Sequence, residues 1–328
     1  MKKIYFVLLL ISTLFGCQKE EEFDISKTEK LNAKTNNPVG LTYRVPVVFH
    51  YVAFNNNKLP SKKELESIVQ HININFQFQN TNRFTIEDQF VAISANPNIE
   101  FYLATEEENQ QKGFVSIKTK YPRVSERSIS NDLIRTVKEF QSHKIVTDGR
   151  KFLNVIITDL PHLTSGLVVT DNDQRDENKI TLPPPYDHIY LKGETFDRSS
   201  LLSGIFIDYK SFNTDRLSIE VITHEIGHWL GLKHIFGMTS MPFNERDNKV
   251  ILNQVKRTAQ EDKYFIALHD DGIDDTPWTH ISCDNLGVKV NGKVINAQNY
   301  MNYTKKLERV MFTKGQVEKM RKTLEEWL

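Results

Sequence analysis

Apolar positions along the chain follow two periods, one typical of strands and the other typical of helices. Four short stretches rich in valine, isoleucine and aromatic residues predict strands at residues 43–54, 99–104, 152–158 and 204–209. Elsewhere, apolar residues recur at spacings of three and four, which predicts helices. These helical positions are Leu65, Ile68, Val69, Ile72 and Phe76; Leu133, Ile134, Val137 and Phe140; and Val317, Met320, Leu324 and Trp327. Strands that alternate with helices indicate a layered α/β sheet.

Local signals mark where two of these helices begin. Ser61 with Glu64, and Thr313 with Gln316, have the spacing of a capping box, in which each side chain bonds the other residue's backbone N–H. Two long polar stretches at residues 171–198 and 237–262 interrupt the pattern, and we expect them to be irregular insertions.

The beginning of the chain has the pattern of an export signal. Two lysines after Met1 precede an apolar run at residues 4–15, which is shorter than the roughly 20 residues that a membrane-spanning helix needs. Residues 14–17 resemble a bacterial lipobox, which implies removal of residues 1–16 and lipidation of Cys17. The alternative is a buried N-terminal helix in which the cysteine is incidental.

The segment after the cysteine is polar and has no clear period. Residues 17–42 are rich in Lys, Glu, Asn, Thr and Ser, a composition that predicts a flexible tether because it buries too little apolar surface to repay ordering. The acidic run within it resembles the export signal of surface lipoproteins. We therefore expect a lipoprotein of the bacterial outer membrane, held at the cell surface, with one folded domain at residues 43–328.

Composition narrows the classes of function. The 328 residues include 42 Lys+Arg and 42 Asp+Glu, so the chain has no excess positive charge with which to bind nucleic acid. Two cysteines in a chain of this length exclude a disulfide scaffold. If Cys17 carries lipid, Cys283 is a free thiol, and we expect it to be buried as a small apolar side chain.

The strongest chemical signal is the series His224-Glu225-x-x-His228-x-x-Gly231-x-x-His234. A spacing of four places His224 and His228 on one helix face, where both imidazoles can reach one zinc ion. Glu225 lies beside the first ligand and can take a proton from a zinc-bound water. Gly231 can end the helix so that His234 returns as a third ligand. Three histidines leave tetrahedral Zn²⁺ one open position, which is typical of a catalytic site.

This motif is similar to the zinc site of the metzincin metalloendopeptidases. Segments at residues 45–50, 99–104, 271–277 and 299–303 narrow the resemblance to the pappalysin-like (cytophagalysin) family. The resemblance implies a two-lobed catalytic domain of α/β (α+β) class. Its upper subdomain, to about residue 234, would hold a twisted mixed sheet and the zinc-binding helix, and its smaller lower subdomain would follow at residues 235–328.

The same resemblance implies the activity and further site residues. It implies a zinc-dependent endopeptidase that hydrolyses peptide bonds of extracellular proteins or peptides, with a zinc-activated water and Glu225 as general base. Met301 fits the methionine turn beneath the zinc, and Tyr303 fits a tyrosine that approaches the metal or the oxyanion. Ordinary core packing is the alternative for both. The strand at residues 204–209 resembles the family's cleft-edge strand, which pairs with extended substrates.

The sequence leaves several alternatives open. Asp271 and Asp275 belong to an acidic cluster similar to a stretch where relatives bind calcium, and oxygen donors suit that ion, but a solvated acidic turn explains the cluster as well. The chain could also be a surface binding lipoprotein on a degenerate protease fold, which the complete ligand set disfavours. A third possibility is another zinc hydrolase such as an amidase, which cleavage of a peptide library would distinguish.

Overall fold

The structure is a computed structural model that describes residues 41–53, 59–105, 114–118, 149–158, 166–169, 204–235, 243–244, 249–250, 271–276, 289–290, 293–294, 296–304 and 307–327. Cys17, Cys283, the predicted leader, most of the tether, the predicted helix around residues 133–140, the first insertion and most of the second lie outside these residues, and what is predicted of them stays a prediction. The second insertion is not irregular throughout, because residues 243–244 pair antiparallel with residues 249–250. Within the described ranges, no helix combines the length and apolar character needed to cross a bilayer.

Strands and helices alternate along the described part of the chain, so the α/β prediction is confirmed. In chain order the elements are β1 (Tyr43–Ala53), α1 (Lys62–Phe76), α2 (Asp88–Val91), β2 (Ser94–Ala95), β3 (Ile99–Leu103), β4 (Phe114–Lys118), β5 (Leu153–Thr158), β6 (Gly166–Val169), β7 (Gly204–Asp208), α3 (Arg216–Trp229), β8 (Phe243–Asn244), β9 (Lys249–Val250), β10 (Lys289–Val290), β11 (Lys293–Val294), β12 (Phe312–Thr313) and α4 (Lys314–Trp327). Strands β1, β3, β5 and β7 correspond to the four strands that the apolar pattern predicts.

Six strands form one mixed sheet with the order β3, β1, β5, β7, β6, and β4 pairs with β1 as well. β1 pairs in parallel with β3 over its first half, with β4 over its second half, and with β5. β5 pairs in parallel with β7, whereas β6 runs antiparallel to β7. The expectation that residues 204–209 form a cleft-edge strand is therefore wrong, because β7 is paired on both sides.

The upper lobe is held by two helices that pack against the sheet and against each other. The predicted capping box of α1 is present, because the Glu64 N–H donates to Ser61 Oγ over 3.3 Å and the Ser61 N–H donates to Glu64 Oε2 over 2.6 Å. All five predicted apolar positions of α1 are buried. Asn75 Nδ2 donates to Thr223 Oγ1 over 2.9 Å, which ties α1 to α3 inside the core.

The C-terminal residues build the smaller lobe around α4. Its predicted capping box is also present, since the Thr313 N–H donates to Gln316 Oε1 over 2.9 Å and the Gln316 N–H donates to Thr313 Oγ1 over 3.3 Å. β12 pairs antiparallel with β2, and a separate apolar cluster lies beside this pair. That cluster contains Phe78, Ile86, Phe90, Val91, Val310 and Met311. Trp229 of α3 packs at a tilt against Trp327 of α4, with ring centroids 5.0 Å apart, which joins the lobes.

One histidine outside the motif lies in the middle of the sheet. His50 of β1 is completely buried, and its Nε2 donates to Asn154 Oδ1 of β5 over 2.9 Å. Burial lowers the pKa of His50 from 6.5 to about 4, because the cost of desolvating the imidazolium exceeds the gain from that hydrogen bond. His50 is therefore neutral at pH 7.

This buried histidine makes stability depend on pH. The unfolded chain takes up a proton at this residue near pH 6.5, whereas the folded chain does so only near pH 4. The free energy of unfolding should therefore fall by about 3 kcal/mol as the pH falls between these values. Denaturant melts of the wild type and of His50→Gln, which keeps an N–H donor but cannot titrate, isolate this contribution. If the difference in free energy of unfolding between the two proteins stays constant from pH 7 to pH 4, His50 does not cause the pH dependence.

Candidate metal centre

The helix α3 carries most of the motif, and local signals set both of its ends. At its start, Asp215 accepts hydrogen bonds from the Ser218 N–H over 3.0 Å and from Ser218 Oγ over 2.9 Å. Such an N-cap satisfies donors that the first helical turn leaves unpaired. At its end, Gly231 has φ of +86°, a left-handed conformation that favours glycine. The chain reverses there, and His234 comes back towards the helix.

The three motif histidines converge on one point. The Nε2 atom of His228 lies 3.0 Å from Nε2 of His224 and 3.0 Å from Nε2 of His234. The Nδ1 atom of His224 lies 2.7 Å from the Tyr300 carbonyl oxygen, and that of His228 lies 2.8 Å from the Leu232 carbonyl oxygen. A carbonyl oxygen only accepts, so each Nδ1 carries the proton and each Nε2 turns a lone pair towards the other rings.

This arrangement fits a metal ion. Lone pairs that face one another at 3.0 Å repel unless a cation lies between them, and imidazole nitrogens suit zinc. Burial lowers the pKa of His228 to about 4 and holds the pKa values of His224 and His234 well below their ordinary range. All three rings are therefore neutral at pH 7, which is the form that binds a metal.

Glu225 lies on the same helix beside the first histidine and is 7% exposed. Burial raises its pKa to about 8, and the positive charge of Arg309 acts in the opposite direction. A bound cation would act in the same direction as Arg309 and favour the carboxylate. A carboxyl whose pKa lies near the working pH suits the transfer of a proton in both directions.

Residues 299–303, the methionine turn, lie against α3. Met301 is completely buried, and a Cβ added at Gly227 would lie 2.5 Å from Met301 Sδ, so the helix and the thioether are in direct contact. Tyr303 is 40% exposed, and its ring centroid lies 5.4 Å from that of His224 and 4.6 Å from that of His234. The structure thus places Met301 behind the histidines and Tyr303 beside them, at the exposed side of the site.

The contact between Gly227 and Met301 leaves no room for a larger residue. Gly227→Ala should therefore force the buried thioether to move and destabilise the protein by about 1–3 kcal/mol through overpacking. It should also weaken zinc binding, because Tyr300, next to Met301, holds His224. Unfolding of the metal-free protein and competition with a chelator would measure both effects. The double variant Gly227→Ala/Met301→Ala should recover part of the loss, whereas strictly additive effects would contradict a direct clash.

A buried ion pair beside the site is absent from the sequence prediction. Arg309 Nε donates to Glu220 Oε2 over 3.0 Å, and Arg216 Nη1 donates to Glu220 Oε1 over 2.8 Å. Arg309 Nη1 also donates to the Asn302 carbonyl oxygen over 3.2 Å. Glu220 could have been noticed, since it precedes His224 by four residues and shares its helix face. The sequence around Arg309 carries no comparable signal.

Asp271 and Asp275, the predicted calcium ligands, accept hydrogen bonds from groups of the protein itself. Asp271 Oδ1 accepts from the Ile273 N–H over 3.0 Å and from Thr276 Oγ1 over 2.6 Å. Asp275 accepts from Thr313 Oγ1 over 2.6 Å and from the Gly315 N–H over 3.0 Å, so it fastens its loop to the start of α4. Among the described residues, the motif histidines form the only group of three or more candidate ligands. Calcium binding at Asp271 and Asp275 is therefore not supported.

Comparisons with known proteins agree with this site. The model of the peptidase M43 family, described as pregnancy-associated plasma protein-A, matches residues 202–325, which include the motif and the methionine turn. Mature mirolysin of Tannerella forsythia in complex with a cleaved peptide matches with a TM-score of 0.57 and 23% identity over 86% of this chain and 91% of that chain. Mirolysin in complex with compound 9 matches with a TM-score of 0.58 and 25% identity over the same shares.

A mutant of Tannerella forsythia promirolysin matches with a TM-score of 0.58 and 23% identity over 92% of this chain and 88% of that chain. The comparison with curated proteins finds no match. The family match and the similarity to mirolysin, a metzincin, indicate a metallopeptidase with a mixed α/β fold, consistent with a two-lobed catalytic domain. They also support zinc at the cluster of three histidines.

Proposed function

We propose that this metallopeptidase is a zinc-dependent endopeptidase that hydrolyses peptide bonds of extracellular proteins or peptides, with Glu225 as the general base. The observation that carries the proposal is the convergence of three neutral imidazoles beside a buried carboxyl group, with Nε2 of His228 3.0 Å from Nε2 of each of the other two. The predicted lipid anchor at Cys17 favours substrates outside the cell.

The residues around the site have distinct roles in this proposal. Zinc held by His224, His228 and His234 would supply a Lewis acid that polarises the scissile carbonyl and lowers the pKa of water. A carboxylate oxygen of Glu225 accepts the proton of the attacking water and delivers it to the leaving amine nitrogen. The hydroxyl group of Tyr303 donates to the carbonyl oxygen of the substrate as negative charge develops there.

The sheet offers a way to align an extended substrate. β6 is the last strand beside β7, and among the described residues its outer edge is not paired with another strand. α3 packs against β6, so this edge lies near the helix that carries the metal ligands. In our proposal the substrate backbone pairs with β6, which gives affinity without strict dependence on side chains.

Substrate peptides with single N-methyl groups can test this pairing. Each N-methyl group removes one backbone donor, and at positions that pair with β6 it should raise KM by about tenfold without changing the scissile bond. Unmethylated peptides of the same sequence are the control. If N-methylation leaves KM unchanged at every position away from the scissile bond, the substrate does not pair with β6.

Cleavage of a peptide library by the purified full-length protein would test the proposed activity. Mass spectrometry should find products cut at internal bonds, and a chelator should prevent their formation. Release of terminal residues alone would indicate an exopeptidase. Hydrolysis of non-peptide amides without peptide cleavage would favour the amidase alternative, and both results would refute the endopeptidase.

A further inference from the structure

We infer that Arg309 is a positioning residue for this site, because it holds the methionine turn at a fixed place against α3 through Glu220 and the Asn302 carbonyl. This inference rests on the proposed function in one respect, since the positioned groups are those that would act on the substrate. The hydrogen bonds of Arg309 go to Glu220 and Asn302, and its charge reaches Glu225 only through space.

The guanidinium group bridges two separate parts of the chain. Arg309 is 6% exposed and lies shortly before α4, in the smaller lobe. Its Nε donates to Glu220 of α3 over 3.0 Å, and its Nη1 donates to the Asn302 carbonyl oxygen over 3.2 Å. One rigid, planar cation thus connects the helix that carries His224 and His228 to the turn that carries Tyr303.

The turn is held at two points by groups on either side of it. The Tyr300 carbonyl oxygen accepts from His224 Nδ1 over 2.7 Å, and the Asn302 carbonyl oxygen accepts from Arg309. Asn302 Oδ1 in turn accepts from the Tyr303 N–H over 2.8 Å. Tyr303 is the exposed member of this turn, and its ring packs against those of His224 and His234, so its position depends on where the turn lies. Loss of the Arg309 bond would release the backbone next to it.

A contribution to stability alone does not explain why Arg309 and Glu220 form a buried ion pair. Desolvating two charges offsets much of their attraction, and apolar side chains of similar size often replace a buried ion pair with little change in stability. Glu220 also keeps a second partner, Arg216, at 2.8 Å, so its charge is compensated from two sides. The property that an apolar pair cannot reproduce is the directed donor on the Asn302 carbonyl. The geometry therefore points to positioning.

The double variant Arg309→Met/Glu220→Met separates positioning from stability. Arg309→Met alone leaves Glu220 buried without one partner and should lower the melting temperature, whereas the double variant should recover most of that loss. Neither variant recovers the donor on Asn302, so kcat should stay about 10- to 100-fold below that of the wild type while KM changes by less than about threefold. Zinc content should be unchanged in both proteins.

Amide hydrogen exchange gives a readout that does not depend on activity. The Tyr303 amide should exchange faster in the double variant than in the wild type, in both the metal-free and the zinc-loaded protein. Arg321→Met is the matched control, because Arg321 also donates to backbone carbonyls, at Pro97 over 3.1 Å and at Leu41 over 2.9 Å. It should lower stability while kcat and the exchange of Tyr303 stay at wild-type values.

The outcomes distinguish this inference from the proposed function. Unchanged exchange at Tyr303 in the double variant would overturn the positioning role even if kcat falls, because loss of the Arg309 charge also acts on the pKa of Glu225. So would a loss of kcat that only follows a loss of bound zinc or of folded protein. If the wild type cleaves no peptide at all, the proposed endopeptidase fails, and faster exchange at Tyr303 would still support the role of Arg309 in holding the turn.

Discussion

Glu225→Gln should lower kcat for peptide cleavage by about 10²- to 10⁴-fold, the usual contribution of a general base. Glutamine has nearly the same shape as glutamate and can fill the same buried space, but it cannot accept the proton of the attacking water. The zinc ligands are unchanged, so the variant should bind zinc as the wild type does. Metal analysis and steady-state kinetics on the same preparation would measure both properties.

Glu325→Gln is a suitable control for this variant. Glu325 lies on α4 and accepts a hydrogen bond from the Tyr43 hydroxyl over 2.6 Å, away from the metal centre. Its substitution should leave kcat unchanged. A Glu225→Gln protein that retains zinc and cleaves peptides at the wild-type rate would eliminate Glu225 as the base.

Removal of the metal should abolish cleavage and also lower stability. A ligand that binds only the folded protein stabilises it by about 4 kcal/mol when its free concentration is a thousand times its Kd. The expected loss is large here, because without a cation Nε2 of His228 lies 3.0 Å from two other imidazole nitrogens with no charge between them. Thermal unfolding with and without a chelator would measure the shift, and added zinc should restore both the melting temperature and the activity.

His228→Ala provides the control for metal removal. His228 is the central ligand, within 3.0 Å of both other Nε2 atoms, so its loss should remove the response of the melting temperature to zinc. If the wild type unfolds at the same temperature and cleaves at the same rate with and without the chelator, the metal centre has been wrongly assigned.

The elements that the sequence predicted well are those whose signals are local. The capping boxes of α1 and α4 and the apolar positions of α1 depend only on residues within a few turns of one another. The motif is local in the same way, because helix geometry and one glycine turn bring His224, His228 and His234 together within eleven residues. Such patterns specify structure before any long-range contact forms.

The features that the sequence predicts wrongly or does not predict at all depend on contacts between distant parts of the chain. Strand order in a sheet is not encoded in the apolar pattern of a single strand, so the sequence predicts β7 at an edge, whereas β6 occupies that edge in the structure. The carboxylate of Asp275 has the composition of a calcium ligand, but its partners are donors near residues 313–315. Arg309 and Glu220 are 89 positions apart, and nothing local marks them as a pair.

The acceptors that orient two of the metal ligands are main-chain carbonyls, at Tyr300 for His224 and at Leu232 for His228. Every amino acid supplies such a carbonyl, so substitution of the side chain at either position leaves the acceptor in place. The ligand tautomers are therefore protected against point substitutions there and are vulnerable to insertions, deletions or prolines that change the backbone path. The side chains at these two positions can therefore vary while the coordination chemistry stays the same.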